Sequence, residues 1–284
     1  MMTLGQFDLH LLSDGRFRLD GGSMFGVVPK VLWQRTDPAD EQNRILMGLN
    51  CALVRTGRKN ILIETGIGSR LDRKQQDIFG VDQPKTLMDR LQALGVRPED
   101  IDIVICSHLH FDHVGWNTVE GNDGRFVPTF PGATYVLQRA EWEAALRPNI
   151  RTKGNYFTEH FIPLEEHSVL RLVGGEEDVT DGIRVILTGG HTEGHQIVKV
   201  ESDGQTALFL ADLVPMTSHI KIPYVMSYDL YPMETMRAKE KILKQAVEGE
   251  WLLIFVHAPV VGMGYLREKE GKRSVETVER VQYD

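Results

Sequence analysis

The most informative segment of the chain is residues 108–113, His108-Leu109-His110-Phe111-Asp112-His113. Three of the chain's 10 histidines fall in this short segment, together with an aspartate. Imidazole and carboxylate groups bind zinc and similar divalent cations at about 2.0–2.2 Å. The segment follows the β-branched run Ile101–Ile105, which predicts a short buried strand. Its side chains can therefore converge beyond the end of that strand, and their spacing predicts a metal site.

Further ligand-type side chains stand at the ends of other predicted strands. Three such strands are each followed by one of them: His191 after Ile183–Leu187, Asp212 after Thr206–Leu210, and His257 after Trp251–Val256. Loops at strand ends are where α/β sheets build binding sites. Seven ligand-type side chains are enough for two cations rather than one. The carboxylates would offset only part of the cations' charge, which leaves an electrophilic centre suited to hydrolysis.

The remaining pattern predicts alternating strands and helices. Apolar and polar residues alternate on either side of Asp14-Gly15, which predicts an opening β-hairpin that turns there. A second hairpin is predicted through Leu49–Val54 and Ile61–Ile63. Apolar residues at helical spacing predict helices over Thr86–Leu94 and Glu234–Val247. This order of elements indicates a layered α/β protein with strands at its centre.

Composition restricts the class of protein. The 284 residues are 42% hydrophobic and 25% charged, as in a globular protein with a sizeable core, and one domain over residues 1–284 is the simplest organisation. The formal net charge of −8 argues against binding nucleic acid through bulk charge. Cys51 and Cys106 lie in different apolar contexts, which fits a reducing compartment. Without a long apolar run or the core of a secretory signal, we expect a cytoplasmic protein with no membrane partner.

The pattern His-x-His-x-Asp-His, followed by separate His, Asp and His residues, resembles the metallo-β-lactamase superfamily over nearly the whole chain. The resemblance implies an αββα sandwich, an α/β fold in which two central mixed β-sheets are flanked by helices. Its implied cofactors are two divalent metal ions, with zinc expected first and iron, cobalt or manganese as alternatives. The implied ligands are His108, His110 and His191 for the first ion and Asp112, His113 and His257 for the second, with Asp212 bridging them.

Three further segments carry the resemblance. Ile61–Gly66 resembles the superfamily's early strand-loop motif, although Glu64 stands where an aspartate is usual. We expect Glu64 to orient a ligand imidazole from outside the ligand set. The segments Asp20–Lys30 and Ser107–Asn117 resemble the quorum-quenching N-acyl-homoserine lactonases and their methyl-parathion-hydrolase-like relatives. His195 is expected to form hydrogen bonds near the site rather than to bind metal.

The substrate side of the site is less specific in the sequence. Met24 and Phe25 are predicted either to wall an acyl-chain site or to pack in the core. The best-known lactonases of this branch carry a tyrosine three residues after the bridging aspartate, whereas this chain has Pro215 there. A donor to the developing oxyanion is therefore expected elsewhere, and each candidate has a structural role as its alternative. The candidates are His219, Tyr224 and Tyr228.

These observations predict a dinuclear metal-dependent hydrolase that opens the ester ring of N-acyl-homoserine lactones with a metal-bridging hydroxide. Asp212 and Asp112 are the predicted catalytic carboxylates, and Asp212 is expected to handle the proton. One alternative is a hydrolase of organophosphate triesters or of other esters or thioesters at the same site. Another is a mononuclear iron persulfide dioxygenase. The expected partner is a small-molecule lactone or ester, and homodimers are common in this branch.

Overall fold

Two seven-stranded β-sheets form the centre of the structure, a computed structural model that describes residues 1–283. The first sheet contains β1 (Met2–Leu4), β2 (Phe7–Asp20), β3 (Arg44–Arg55), β4 (Asn60–Ile63), β5 (Ile103–Ile105), β8 (Thr134–Gln138) and β9 (Leu170–Val173). The second contains β10 (Glu176–Thr180), β11 (Ile183–Leu187), β12 (Gln196–Ser202), β13 (Gln205–Phe209), β14 (Leu252–Ile254), β15 (Val261–Lys269) and β16 (Lys272–Arg280). A small ribbon pairs β6 (Thr118–Glu120) with β7 (Phe126–Pro128).

The helices are short except for the last one. They are α1 (Gly21–Phe25), α2 (Lys30–Trp33), α3 (Arg73–Phe79), α4 (Leu87–Ala93), α5 (Arg139–Leu146), α6 (Ile162–Glu166) and α7 (Pro232–Glu248). Single 3₁₀ turns cover Pro98–Asp100, Thr158–His160, Ala211–Leu213 and Thr217–Ile220. Across residues 1–283, none of the helices combines the length and the apolar character needed to cross a membrane.

The first sheet is apolar on both faces because another layer covers each of them. Successive side chains of a strand point to opposite faces, so Ile61 and Ile63 of β4 face one way and Leu62 the other. Ile61 and Ile63 belong to the core between the two sheets. Leu62 packs outwards in the cluster that contains Leu87 and Leu91 of α4. Strands covered in this way are expected to form continuous apolar runs, as β4 does.

The outer face of the second sheet is covered by α7. Ile242, Leu243 and Ala246 lie on one stripe of this helix and pack in the same cluster as Leu208 of β13 and Leu253 of β14. The layers therefore follow the order helix, sheet, sheet, helix. Both sheets are mixed, since β4, β5, β8 and β9 pair in parallel, as do β13 and β14, whereas the other pairs are antiparallel. The predicted αββα sandwich is confirmed.

The predicted opening hairpin at Asp14-Gly15 is wrong. The chain turns earlier, between β1 and β2, and β2 continues through Asp14 with an irregular register between Ser13 and Arg16. The Asp14 carboxylate is buried and accepts hydrogen bonds from distant groups, including the backbone N–H of Leu87 at 2.7 Å. Tertiary contacts have therefore replaced the local turn that an Asp-Gly pair favours. The second hairpin is confirmed, although β3 begins five residues before the predicted Leu49, and both predicted helices are confirmed within two residues.

The strand order brings several strand ends to one edge of the sandwich. β5 lies between β4 and β8, and all three run parallel, so the chain leaves β5 at the same edge as its neighbours. β13 and β14 are also parallel to each other, so the segments that follow them leave the second sheet together. Such an edge is where loops of α/β proteins assemble functional sites.

Candidate active site

The histidine-rich segment follows β5 and is fixed to the neighbouring loop by buried groups. Glu64 follows β4 in a left-handed backbone conformation with φ 66°. Its carboxylate accepts hydrogen bonds from the backbone N–H of Ser107 at 2.7 Å and from Nδ1 of His113 at 3.0 Å. Gly115 approaches so closely that a Cβ there would lie 2.0 Å from the carbonyl carbon of Ile67. The two loops are therefore packed backbone to backbone, which sets the position of the segment.

Seven ligand-type side chains from four strand ends meet at this edge. His191 follows β11, Asp212 follows β13 and His257 follows β14, as the sequence predicts. The seven residues form three groups, each with ligand atoms within 4.8 Å of one another. The groups are His108, His110 and His191; His108, His113 and Asp212; and Asp112, His113 and His257. Because the groups share members, they form one continuous centre, which we call the ligand centre.

Asp212 lies between the two halves of the ligand centre. Its carboxylate oxygens are 3.1 Å from Nε2 of His191 and 3.2 Å from Nε2 of His257. The backbone N–H of Asp212 donates to Nε2 of His195 at 3.1 Å, so the proton of that ring is on Nδ1 and points to Thr188. His195 therefore contacts the centre through a hydrogen bond, in the position that the sequence predicts.

The ligand imidazoles are oriented by hydrogen bonds at their other ring nitrogen. Nδ1 of His191 lies 2.9 Å from the carboxylate of Asp229, and Nδ1 of His257 lies 2.9 Å from the carbonyl oxygen of Gly48. Glu64 has the same relation to His113. An acceptor at Nδ1 keeps the proton there and directs the lone pair of Nε2 into the centre. Partners of this kind are a regular feature of metal-binding histidines.

The donor set fits divalent cations. Nε2 of His108 is buried and has no hydrogen-bond partner within residues 1–283, although its Nδ1 lies 2.8 Å from the Ser107 hydroxyl. Nε2 of His191 and Nδ1 of His110 face each other at 3.1 Å. Buried nitrogens with inward lone pairs are costly unless a proton or a cation satisfies them. Imidazole nitrogens and carboxylate oxygens are ligands that zinc and related cations accept.

Burial and neighbouring charges together determine the pKa values of the groups in the ligand centre. Burial lowers the pKa of His108 and His110 well below the usual value, and the neighbouring imidazoles add to this effect. Burial also opposes a charge on His113, but the carboxylates around it, Asp112 foremost, raise its pKa well above the usual value. Burial would raise the pKa of Asp212, yet the surrounding imidazoles hold it well below the usual range. Protons and cations would therefore compete for the same nitrogens.

A cavity of about 120 Å³ opens onto the ligand centre. Five of the seven ligand-type residues line it: His110, Asp112, His191, Asp212 and His257. The rest of the lining is largely apolar and comes from distant parts of the chain: Leu19, Met24, Met47, Phe79, Phe111 and Met226. Tyr228 and Asn155 add polar groups to it. We call the apolar residues together with Tyr228 the cavity wall.

The structure divides the predicted substrate residues into two sets. Met24 and Tyr228 line the cavity, as expected. Phe25, His219 and Tyr224 do not, and their prediction as substrate contacts requires correction. Phe25 and His219 are fully buried and stack at 4.6 Å, while Tyr224 packs edge-on against Phe25. His219 also donates from Nε2 to the carbonyl oxygen of Met24, so these side chains support the wall from behind.

Several residues of the site had no clear signal in the sequence. Asp229 is one of them, because a single aspartate 38 positions from its histidine partner has no recognisable spacing. Asn155 and Met226 lie in irregular segments for which no periodicity predicts a position. Cys106, directly before the histidine-rich segment, is buried, and burial raises the pKa of its thiol.

Two related sequences are named N-acyl homoserine lactonases. The N-acyl homoserine lactonase AiiA of Bacillus thuringiensis subsp. kurstaki is 26% identical over 218 residues, which cover 72% of this chain and 78% of that protein. The N-acyl homoserine lactonase AttM of Agrobacterium fabrum is 27% identical over 188 residues, which cover 63% of this chain and 66% of that protein. Both names agree with the prediction of a metallo-hydrolase that acts on ester bonds.

Solved structures share the whole fold. A structure described as a probable metal-dependent hydrolase from Staphylococcus aureus has a TM-score of 0.90 and 32% identity, and the match covers 97% of each chain. AidC, a dizinc quorum-quenching lactonase, has a TM-score of 0.81 and 20% identity, with 99% of this chain and 97% of that chain covered. Residues 46–257 match the sequence profile of the metallo-beta-lactamase superfamily. The predicted family is confirmed, and the chain belongs to the metallo-beta-lactamase superfamily.

Proposed function

We propose that this chain is a metal-dependent hydrolase that opens the ester ring of N-acyl-homoserine lactones. The observation that carries the proposal is the ligand centre at one end of a largely apolar cavity. A substrate of this class joins a hydrolysable ring to an apolar acyl chain, so its two parts match the two parts of the site. The relatives named as N-acyl homoserine lactonases support the same substrate class.

The ligand centre has enough donors for two divalent cations. In the proposed arrangement His108, His110 and His191 hold one cation and Asp112, His113 and His257 hold the other, with Asp212 shared. Zinc is the first expectation, and iron, cobalt and manganese accept the same ligand types. When bound, such a pair supplies a polarised ester carbonyl and a water whose pKa is lowered toward neutrality.

Asp212 is the proposed proton carrier. It is buried between the two halves of the centre and lines the cavity, so a substrate and a water bound there would contact its carboxylate. The imidazoles around it hold its pKa well below the usual range despite burial, so its carboxylate is ionised at neutral pH and would hold a proton only in passing. It would pass that proton to the alcohol oxygen when the ring opens. Asp112 is the second carboxylate of the cavity floor.

Tyr228 is the proposed donor to the developing oxyanion. Of the three candidates predicted from the sequence, it is the one that lines the cavity. Burial raises the pKa of its hydroxyl, so the group keeps its proton at neutral pH and remains a donor. A positioned donor of this kind stabilises negative charge that forms on the carbonyl oxygen in the transition state.

The test is a metal count followed by a substrate panel. The purified protein is analysed for metals per chain and then assayed with N-acyl-homoserine lactones of several chain lengths, a paraoxon-like phosphotriester and S-lactoylglutathione. We expect two divalent cations per chain and fastest turnover of a lactone, whose product gains the mass of one water. Exhaustive chelation should abolish turnover, and added Zn²⁺ should restore it.

Other outcomes of this test point to other functions. Faster turnover of the phosphotriester or the thioester would reject the lactone substrate and retain the hydrolase. One iron per chain with oxygen consumption on a persulfide would reject hydrolysis altogether. Activity that survives exhaustive chelation would reject the metal-dependent reaction.

The proposal also includes a cytoplasmic location, a single domain and a homodimer. Cell fractionation tests the location, limited proteolysis tests the domain organisation and light scattering tests the oligomeric state.

A further inference from the structure

Glu141 connects two loops that carry metal-ligand histidines. It lies in the first turn of α5, and its side chain is fully buried. Oε1 accepts a hydrogen bond at 3.0 Å from the backbone N–H of Leu109, the residue between His108 and His110. Oε2 accepts a hydrogen bond from the hydroxyl of Thr192, the residue after His191. One carboxylate therefore links the segment after β5 with the segment after β11.

The loop that carries His191 packs directly against the backbone of α5. A Cβ at Gly194 would lie 2.1 Å from the backbone nitrogen of Glu141, so only glycine permits this approach. Tyr156 supplies a third hydrogen bond to Oε1 of Glu141, at 3.2 Å, and contacts neither loop through that hydroxyl. Every polar contact of Glu141 is thus directed at the ligand loops or at a buried tyrosine, and its carboxylate does not line the cavity.

Two buried carboxylates, Glu64 and Glu141, act on the ligand centre at different points. Glu64 contacts His113 directly and holds the backbone of Ser107. Glu141 contacts no ligand ring and acts on the backbone next to His108 and His110 and on the side chain next to His191. His108, His110 and His191 together form one of the three groups of ligand atoms. A change at Glu141 should therefore affect this group more than the group of Asp112, His113 and His257.

We propose that Glu141 is a positioning residue that holds His108, His110 and His191 in the geometry needed to bind one of the two cations. The inference rests on the proposed metal-dependent function, because it assigns Glu141 to one of the two cation positions. Within residues 1–283 the Glu141 carboxylate forms no ion pair, and three hydrogen bonds satisfy it. Removing the carboxylate would leave the Leu109 N–H and the Thr192 hydroxyl buried without that acceptor and would free both loops.

The test measures Zn²⁺ affinity rather than turnover. Wild-type protein and the variants Glu141→Ala, Glu141→Gln and Thr192→Val are freed of metal, loaded with Zn²⁺ and titrated with a competing chelator. We expect Glu141→Ala and Thr192→Val to lose one of the two ions at a free Zn²⁺ concentration about 10–100-fold higher than wild type, as is typical when the partner of a ligand is removed. Glu141→Gln keeps an acceptor for Leu109 and should show a smaller loss. The second ion should keep its wild-type affinity in every variant.

Tyr156→Phe is the matched control, because it removes one hydrogen bond from the same carboxylate and leaves both loop contacts in place. It should bind both ions as wild type does. If Glu141→Ala does not fold, as judged by near-ultraviolet circular dichroism, Thr192→Val and Glu141→Gln carry the test. Folded variants with two wild-type affinities, or equal weakening of both ions, would overturn the positioning role and leave the proposed function intact. Wild-type protein that binds fewer than two Zn²⁺ ions would reject the dinuclear function itself.

Discussion

The ligand centre and the cavity wall lie side by side but are held in place by different forces. In the ligand centre, His113, His191 and His257 each have a hydrogen-bond partner at Nδ1, and these partners fix the rotation of the ring. The wall is formed largely by thioether and aromatic side chains, such as Met24 and Met226, that pack without directional bonds. Directional bonds allow few geometries, whereas flexible thioethers adapt to what they contact. We therefore expect substitutions in the centre to abolish chemistry and substitutions of the apolar wall residues to alter substrate preference.

The largest effect should come from the ligand centre itself. His110→Ala removes one donor from the group it forms with His108 and His191. We expect kcat/KM for a lactone to fall on the order of a thousandfold, because a metal ion contributes several kcal/mol of transition-state stabilisation. The fold should persist, since His110 lies beside the cavity and not between the sheets. His167→Ala, at an exposed position, is the control. Normal turnover of the Zn²⁺-loaded His110→Ala protein would contradict the assignment of the centre.

The next effect tests the polar member of the wall. Tyr228→Phe keeps the ring and removes the hydroxyl, so we expect kcat to fall about a hundredfold with little change in KM, as for other single oxyanion donors. Tyr224→Phe is the matched control, because Tyr224 packs against Phe25 and does not line the cavity. Steady-state kinetics with one lactone are sufficient. Equal effects in the two variants would mean that the hydroxyl of Tyr228 has no special role.

The same contrast explains which parts of the molecule the sequence predicted. The members of the ligand centre can be predicted because three histidines in one short segment and single residues after buried strands are local patterns. Glu141 and Asp229 act at the ligand loops across 32 and 38 positions of sequence, so the spacing carries no sign of the contact. Asp14 is the opposite case, in which a local pattern is misleading. The Asp14-Gly15 pair favours a turn, but the buried Asp14 carboxylate instead accepts a hydrogen bond from the distant N–H of Leu87.

Substitutions in the apolar part of the wall should change the affinity for the acyl chain and leave the rate of the chemical step unchanged. Met24→Ala removes a buried thioether from the cavity lining. Burying such a side chain contributes about 1.5–3 kcal/mol, so we expect KM for a long-chain lactone to rise about tenfold at constant kcat. A lactone with a short chain should show little change. Met263→Ala, in the core between the sheets, is the control, because it should lower the free energy of unfolding and leave KM as in wild type.

The smallest effect concerns the support behind the wall and appears in stability rather than in catalysis. Burial lowers the pKa of His219 to about 3 from its ordinary value of 6.5, so its imidazole is neutral in the native protein at neutral pH. Below pH 6.5 the unfolded chain binds a proton at this site that the native protein does not bind until about pH 3. The contribution to stability is therefore complete above pH 6.5 and is lost as the pH falls from 6.5 toward 3.

His219→Gln retains a donor for the carbonyl oxygen of Met24 and does not titrate. In urea unfolding of metal-free protein, the free energy of unfolding of wild type should fall more steeply than that of the variant as the pH is lowered below 6.5. The difference in slope should approach about 1.4 kcal/mol per pH unit, the value for one proton. Other titrating groups are shared by the two proteins and cancel in this difference. Parallel curves would mean that His219 is charged or exposed in the native state, which would return it to the candidates for substrate contact.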